Sequence, residues 1–374
     1  ENDERLRRLI LLLDVSGSME PYARALLRFV QAAVAGRQKV EAFAIGTRLT
    51  RVTRELGSRD PDKALKLAAE RVVDWSGGTR LGAVTVTSGA TVLASSTFTA
   101  ASFTQSAGTV ATTFTGIVDL TNQFDFTGQA LSMNGVGSNV VGTSMDVTNA
   151  GLFTTANGVN ISTGGAFAQT GIAGQNSLGG NITTTDDTIR FNTGVTLTSG
   201  ILMNTVSVGG GNNITFSSTI DGPQTLGLTA GIGNIVFGGV VGATRLGAIT
   251  ITSANDVTAV AITAASLQQV AGSGTTTFNG AQNYNTIAGL NVVTGGTIAL
   301  NSTVTTTNSG TVTLTGTTAV TIAVGGDITS DGAVNFNSAV GGISTAGDVT
   351  TSGQVVNYNN ATTLTGAVAI TTGA

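Results

Sequence analysis

The chain has no cysteine and no histidine, and only 3 of its 374 residues are proline. The first absence excludes a disulfide framework and thiolate chemistry. The second removes the commonest general base and the commonest zinc ligand. No lysine follows Lys66, and of 17 cations only Arg190 and Arg245 lie beyond residue 80. Fifteen cations and 11 acids in residues 1–80 give about +4, and two cations and 10 acids in residues 81–374 give about −8, which together make the net −4. A long segment with two cations lacks the basic footprint that nucleic acid or an anionic bilayer needs, so neither is expected as a partner. The longest apolar run near the start, Leu9 to Leu13, is too short to be a signal-peptide core or to span a bilayer, so no membrane insertion by this chain is expected.

What the chain has instead is a repeat. Thr79 to Ser88, TRLGAVTVTS, returns at Thr244 to Ser253 as TRLGAITITS, with isoleucine for valine at two positions. Thr99-Ala100-Ala101-Ser102 returns as Thr263-Ala264-Ala265-Ser266, and Thr113-Phe114 as Thr277-Phe278, with the offset falling from 165 to 164. The polypeptide before about Arg80 is of another kind.

Residues 8–14 form a short continuous apolar run and predict a buried strand. Glu20 to Ala35 predicts a helix, with Pro21 in its first turn and Ala25, Leu26, Phe29, Val30 and Val34 as its apolar stripe. Lys39 to Ile45 and Leu49 to Arg54 predict two more strands. Asp60 to Asp74 predicts a second helix, capped by Asp60, with Pro61 at its first position and Ala64, Leu65, Leu67, Ala68 and Val72 inside.

Within this β-α-β-β-α pattern, Asp14-Val15-Ser16-Gly17-Ser18 is a DxSxS motif. With the blocks LLLDVSGSMEPYARALLRF, VEAFAIGTRLTRVTREL and VVDWSGGTRLG, residues 5–82 resemble the von Willebrand factor A (VWA) domains of bacterial accessory proteins of carbon-monoxide dehydrogenase. The resemblance implies an α/β, half Rossmann-type segment over residues 1–79 and a metal-ion-dependent adhesion site for Mg²⁺. Asp14 would act through water, Ser16 and Ser18 would ligate directly, and Thr79 would join from a second loop. A hard cation of this size wants such an oxygen shell. The chain departs from the family after GGTR, where a further helix, a central strand and a second metal-site Asp would follow. The alternative is that DVSGSM is only a strand-to-helix turn, where Ser and Gly are expected anyway. The truncation is expected to leave the first strand with an unpaired apolar side.

From Ala83 short alternating runs such as AVTVTS, TVTLT and AVTIAV follow one another, punctuated by Gly, Asn, Ser and Asp, and 46 of the 52 glycines lie after residue 80. Gly326-Asp327-Ile328-Thr329 recurs 21 residues on as Gly347-Asp348-Val349-Thr350, and Asn213-Ile214 with Phe216 recurs 21 on as Asn234-Ile235 with Phe237. A period of about 20 residues fits one coil of a β-solenoid that buries its apolar face by stacking on its neighbours. Asn at the turns can hydrogen-bond locally and tolerate left-handed backbone, and stacked turns predict amide ladders. The texture of residues 80–374 resembles bacterial filamentous-haemagglutinin and autotransporter-adhesin repeat proteins. That resemblance implies a right-handed parallel β-helix, extracellular or at the cell surface, non-catalytic, facing a protein or glycan ligand on a surface or matrix. End-to-end or edge association of the solenoid is a further expectation.

Chemistry in the array would need clustered charge. Asp186, Asp187 and Arg190 form the densest cluster, readable as a small carbohydrate or Ca²⁺ site, as the centre of a carbohydrate-active β-helix enzyme, or as a solvated turn. Asp119 and Asp125 flank Asn122 and could hold Ca²⁺. Phe114, Phe124, Phe126, Phe191, Phe216 and Phe237 are expected as an interior row, and Tyr284 and Tyr358 as surface contacts.

Overall fold

A computed structural model describes residues 9–15, 20–36, 40–45, 49–72, 81–87 and 91–373. The chain divides into two compact units, Glu1–Val84 with Thr99–Phe103, and Thr85–Phe98 with Thr104–Ala374.

In the first unit β1 (Leu9–Asp14) pairs in parallel with β2 (Val40–Ile45), from Leu9 opposite Val40 to Asp14 opposite Ile45. A parallel pair needs a crossover, and α1 (Glu20–Gly36) is that crossover. β3 (Leu49–Arg51) adds antiparallel to β2 and is followed by α2 (Thr53–Leu56) and α3 (Pro61–Arg71). The core, on one face of the sheet, gathers Leu13, Leu27, Val30, Ala42, Ala44, Val52, Leu56, Ala64, Ala68 and Val72. Asp60 caps α3, accepting from the N–H groups of Asp62 at 3.1 Å and Lys63 at 3.3 Å, ahead of Pro61.

Two details differ from the sequence expectation. β3 stops at Arg51 because the Thr53 hydroxyl takes over the backbone of Ala42, accepting its N–H at 2.9 Å and donating to its carbonyl at 3.2 Å, and the chain turns into α2. On α1 the buried residues are Leu27, Val30 and Gln31, with Val34 packed against them, while Phe29 is 69% exposed. A three-stranded sheet offers a narrow surface, so only one i, i+3, i+4, i+7 stripe of a wide apolar arc finds cover. The expected unpaired side of β1 is present. β1 ends the sheet order among the described strands, and Ile10 and Leu12 are exposed.

The second unit is a parallel β-solenoid of about 13 turns. Most coils contribute three strands, each paired with its counterpart one coil on, while Val241–Ser253 and Ile262–Gln269 each run across two faces. On one face Ala111–Phe114 pairs with Ala130–Met133, then Leu152–Thr155, then Gln175–Leu178. Most of these strands alternate: Ile214 and Phe216 are buried and Thr215 between them is not. Phe191, Phe216 and Phe237 are in register and stack at centroid distances of 5.8 and 5.9 Å, with rings 5° and 6° from parallel. Phe114, Phe124 and Phe126 are buried too, but Phe114 meets Phe124 edge-on at 61° because the two stand on different faces.

The 21-residue spacings have a direct cause. The Asn213 side chain accepts the N–H of Asn234 at 2.8 Å, and Asp327 accepts that of Asp348 at 2.9 Å, so each turn side chain fastens the next coil. Asn160, Asn181 and Asp348 do the same for Asn181, Leu202 and Ala369. The long repeat also survives in the packing. Thr112 donates to the buried Gln105 at 2.6 Å, and 164 residues on Thr276 donates to Gln269 at 2.9 Å. The copies nonetheless occupy different faces, since the Ala111–Phe114 column runs on to Gln282–Tyr284 while Thr276–Phe278 belongs to another. The duplicated quantity is a run of strands and corners rather than a whole number of coils.

Candidate metal loop and charged turns

Asp14 closes β1 at its carboxyl end, and the ladder runs one bond further, Val15 N–H donating to Ile45 at 3.0 Å. Loops leaving the carboxyl ends of parallel strands are where ligands bind in open α/β sheets, so the backbone position suits the expected Mg²⁺ ligand. Ser16, Ser18 and Thr79 lie outside the described residues. Among the described residues no group of three or more Asp and Glu side chains is close enough to hold a metal ion.

Asp186, Asp187 and Arg190 share one turn but act separately. Asp186 adopts φ +53° and its carboxylate accepts the N–H groups of Ser207 at 2.8 Å, Gly209 at 2.5 Å and Gly211 at 2.9 Å. Desolvation by itself would raise its pKa. The N–H groups of Gly209, Ser207, Gly211 and Gly210 outweigh that and hold it below the usual carboxylate value. Gly210 and Gly211, at φ +97° and +102°, let the loop fold its amides around the carboxylate. Asp187 accepts from Thr188 N–H at 2.7 Å, and Arg190 donates to Asn192 at 2.8 Å. The arrangement clips the loop of residues 207–211 in place.

Asp119 and Asp125 do not converge. Asp119 stands beside Val140 on one face, while Asp125 stands on the next, in register with Asp146 one coil on. Burial, then the charge of Asp146, raises the Asp125 pKa against the hydrogen bond from Gln123. Asp146 was overlooked, although its spacing of 21 residues from Asp125 is the coil period. The expectation for the tyrosines is corrected. Tyr284 is fully buried and donates to Gln282 at 2.8 Å, because Gln282 and Tyr284 are the inward positions of their strand and Asn283 the outward one. Tyr358 is also drawn inward, against Phe336 at 4.8 Å.

The outward positions form columns that sequence reading did not assemble. On one face Thr113, Ser132, Thr154, Ser177 and Thr196 follow one another coil by coil. The same face later presents Thr305, Thr329, Thr350 and Thr371. On another face Asn357 donates to Asn335 at 2.8 Å and Asn359 to Asn337 at 2.8 Å, an amide ladder. A parallel sheet spaces such groups about 4.8 Å apart. Arg245, inside the second copy of the repeat, is half-buried and fastened along the coils, donating to the Ala264 carbonyl at 2.7 Å and to the Asn283 side chain at 2.7 Å.

Residues 2–103 match the family model described as VWA domain containing CoxE-like protein. The N-terminal segment is therefore VWA-like, and a parallel β-solenoid follows it. No curated protein and no solved structure matches the chain. Among the described residues no helix is long and apolar enough to cross a membrane.

Proposed function

We propose that the chain is a non-catalytic, adhesin-like structural module, secreted or held at a cell surface, whose solenoid presents an extended polar face to a protein or glycan ligand. The observation that supports this reading is the hydroxyl column, Thr305, Thr329, Thr350 and Thr371, in register on consecutive coils. Hydroxyls repeated along a rigid sheet can meet the repeated hydroxyls of a glycan or the amides of an extended peptide without an ordering cost on the protein side. The test is binding to arrayed glycans and matrix proteins by the intact chain and by a Thr305→Lys, Thr329→Lys, Thr350→Lys variant. Binding that the variant loses supports the column. Binding that is equal in both, or found in neither, sinks the reading.

A second reading is favoured by the family match over residues 2–103. In it Asp14, Ser16, Ser18 and Thr79 hold Mg²⁺, which would supply a bridge to a carboxylate of the ligand, with the solenoid as a stalk. A ligand that binds only the native state must raise its stability. A melting shift between Mg²⁺ and EDTA that Asp14→Ala abolishes supports it, and the absence of any shift rejects it.

A further inference from the structure

Among the described residues, helices cover one face of the N-terminal unit's sheet. Val40, Ala42, Ala44 and Leu13 turn toward the helices and are buried. The opposite face carries Ile10, 57% exposed, Leu12, 61% exposed, and Leu49, 55% exposed, with Phe43 and Ile45 half-buried between them. The register makes these one patch, since Leu12 stands beside Phe43, and Ile45 beside Leu49. Parallel strands are ordinarily buried on both faces, and a contiguous apolar patch of this kind marks an association surface.

The rim says what associates with it. Glu41 lies beside Ile10, and Arg51 beside Phe43, on the same face. The two side chains form an ion pair at 3.6 Å, with Arg51 largely exposed. We propose that this face is a two-fold interface with a second copy of this chain. A patch with an apolar centre and one charge of each sign on its rim is complementary to itself. A two-fold axis near Leu12 and Phe43 lays apolar side chains on their equivalents and sets Glu41 of each copy against Arg51 of the other. An isologous contact of this sort closes at two copies and does not propagate.

The test is sedimentation equilibrium of the full chain over a micromolar concentration series. The expected mass is that of two chains of 37.3 kDa each. Leu12→Lys, at an exposed position, is expected to reduce it to one chain without changing the circular dichroism spectrum, and to remove the concentration dependence of the melting temperature. Glu41→Lys and Arg51→Glu are each expected to weaken the dimer, and the double variant to restore it, which guards against a Leu12→Lys protein that fails to fold. A monomeric wild type, a dimer that Leu12→Lys leaves intact, or an assembly that grows without limit would each overturn the proposal.

Discussion

The two units solve the same problem with different partners. In the solenoid each strand is buried on its inner face by the other strands of its coil and paired along its edges by the coils before and after, so Ile214 and Phe216 are wholly inside. In the N-terminal unit β1 is as apolar as any of those strands, yet among the described residues helices cover one of its faces, and Ile10 and Leu12 are exposed. A repeat supplies its own next layer. The described three-stranded sheet of the N-terminal unit has no such next layer on the face of Ile10 and Leu12.

The largest effect that sharpens this contrast is expected from Phe216→Ala. Phe216 is sandwiched between Phe191 and Phe237 with no room to collapse, so the cost should be about 3–5 kcal/mol. Denaturant unfolding followed by far-ultraviolet circular dichroism checks it. A loss no larger than that of Thr215→Ala would show that the interior row does not hold the coils together.

The strands, their inward residues and the 21-residue fasteners were legible because period two and coil length are both written in single residues such as Phe216/Phe237 and Asp327/Asp348. The face each strand occupies was not, since that depends on the summed lengths of all preceding corners. This is why the different columns of the two copies of the long repeat were not legible, whereas Tyr284 read as a surface contact because its strand, Gln282–Tyr284, has polar neighbours and no apolar alternation to mark its inward positions. The metal motif was legible only as a motif. Asp14 falls where the sequence puts it, at the end of β1, and Ser16, Ser18 and Thr79 lie outside the described residues. Asp186 read as a charged turn because its partners, the amides of residues 207–211, carry no signature in their side chains.

The next effect concerns that carboxylate. Asp186→Asn keeps a residue that tolerates φ +53° and removes the charge the loop amides hold. The pKa of Asp186 is lowered on folding, so its contribution is present above the ordinary carboxylate value near 3.8 and is lost as the pH falls through the lower folded value. The variant should therefore melt below the wild type at pH 7, and the two melting curves should converge in acid. Parallel curves at every pH would mean that the loop is held by geometry rather than charge. In the other unit Asp60→Ala should cost about 1 kcal/mol through the lost cap of α3. It should leave the unfolding of the solenoid unmoved if the two units unfold separately.

The smallest effect has the opposite sign. Asp125 and Asp146 stand in register on adjacent coils, and burial together with this like charge raises the Asp125 pKa. A raised pKa means that the folded chain binds the proton more tightly, so stability gained below the ordinary value near 3.8 is lost as the pH rises through the folded value. Asp125→Asn should accordingly raise the melting temperature slightly at pH 7, and the gain should vanish in acid. The Asp125 side chain is partly exposed, so added salt should shrink the gain as well. Asp146→Asn should give a similar rise and the double variant less than the sum, because either change alone relieves the shared repulsion. A stabilisation that persists in acid would instead assign the effect to packing on that face. A column of equal charges would then be no burden to a solenoid, and the uncharged Thr and Asn columns of residues 305–371 would owe nothing to avoided repulsion.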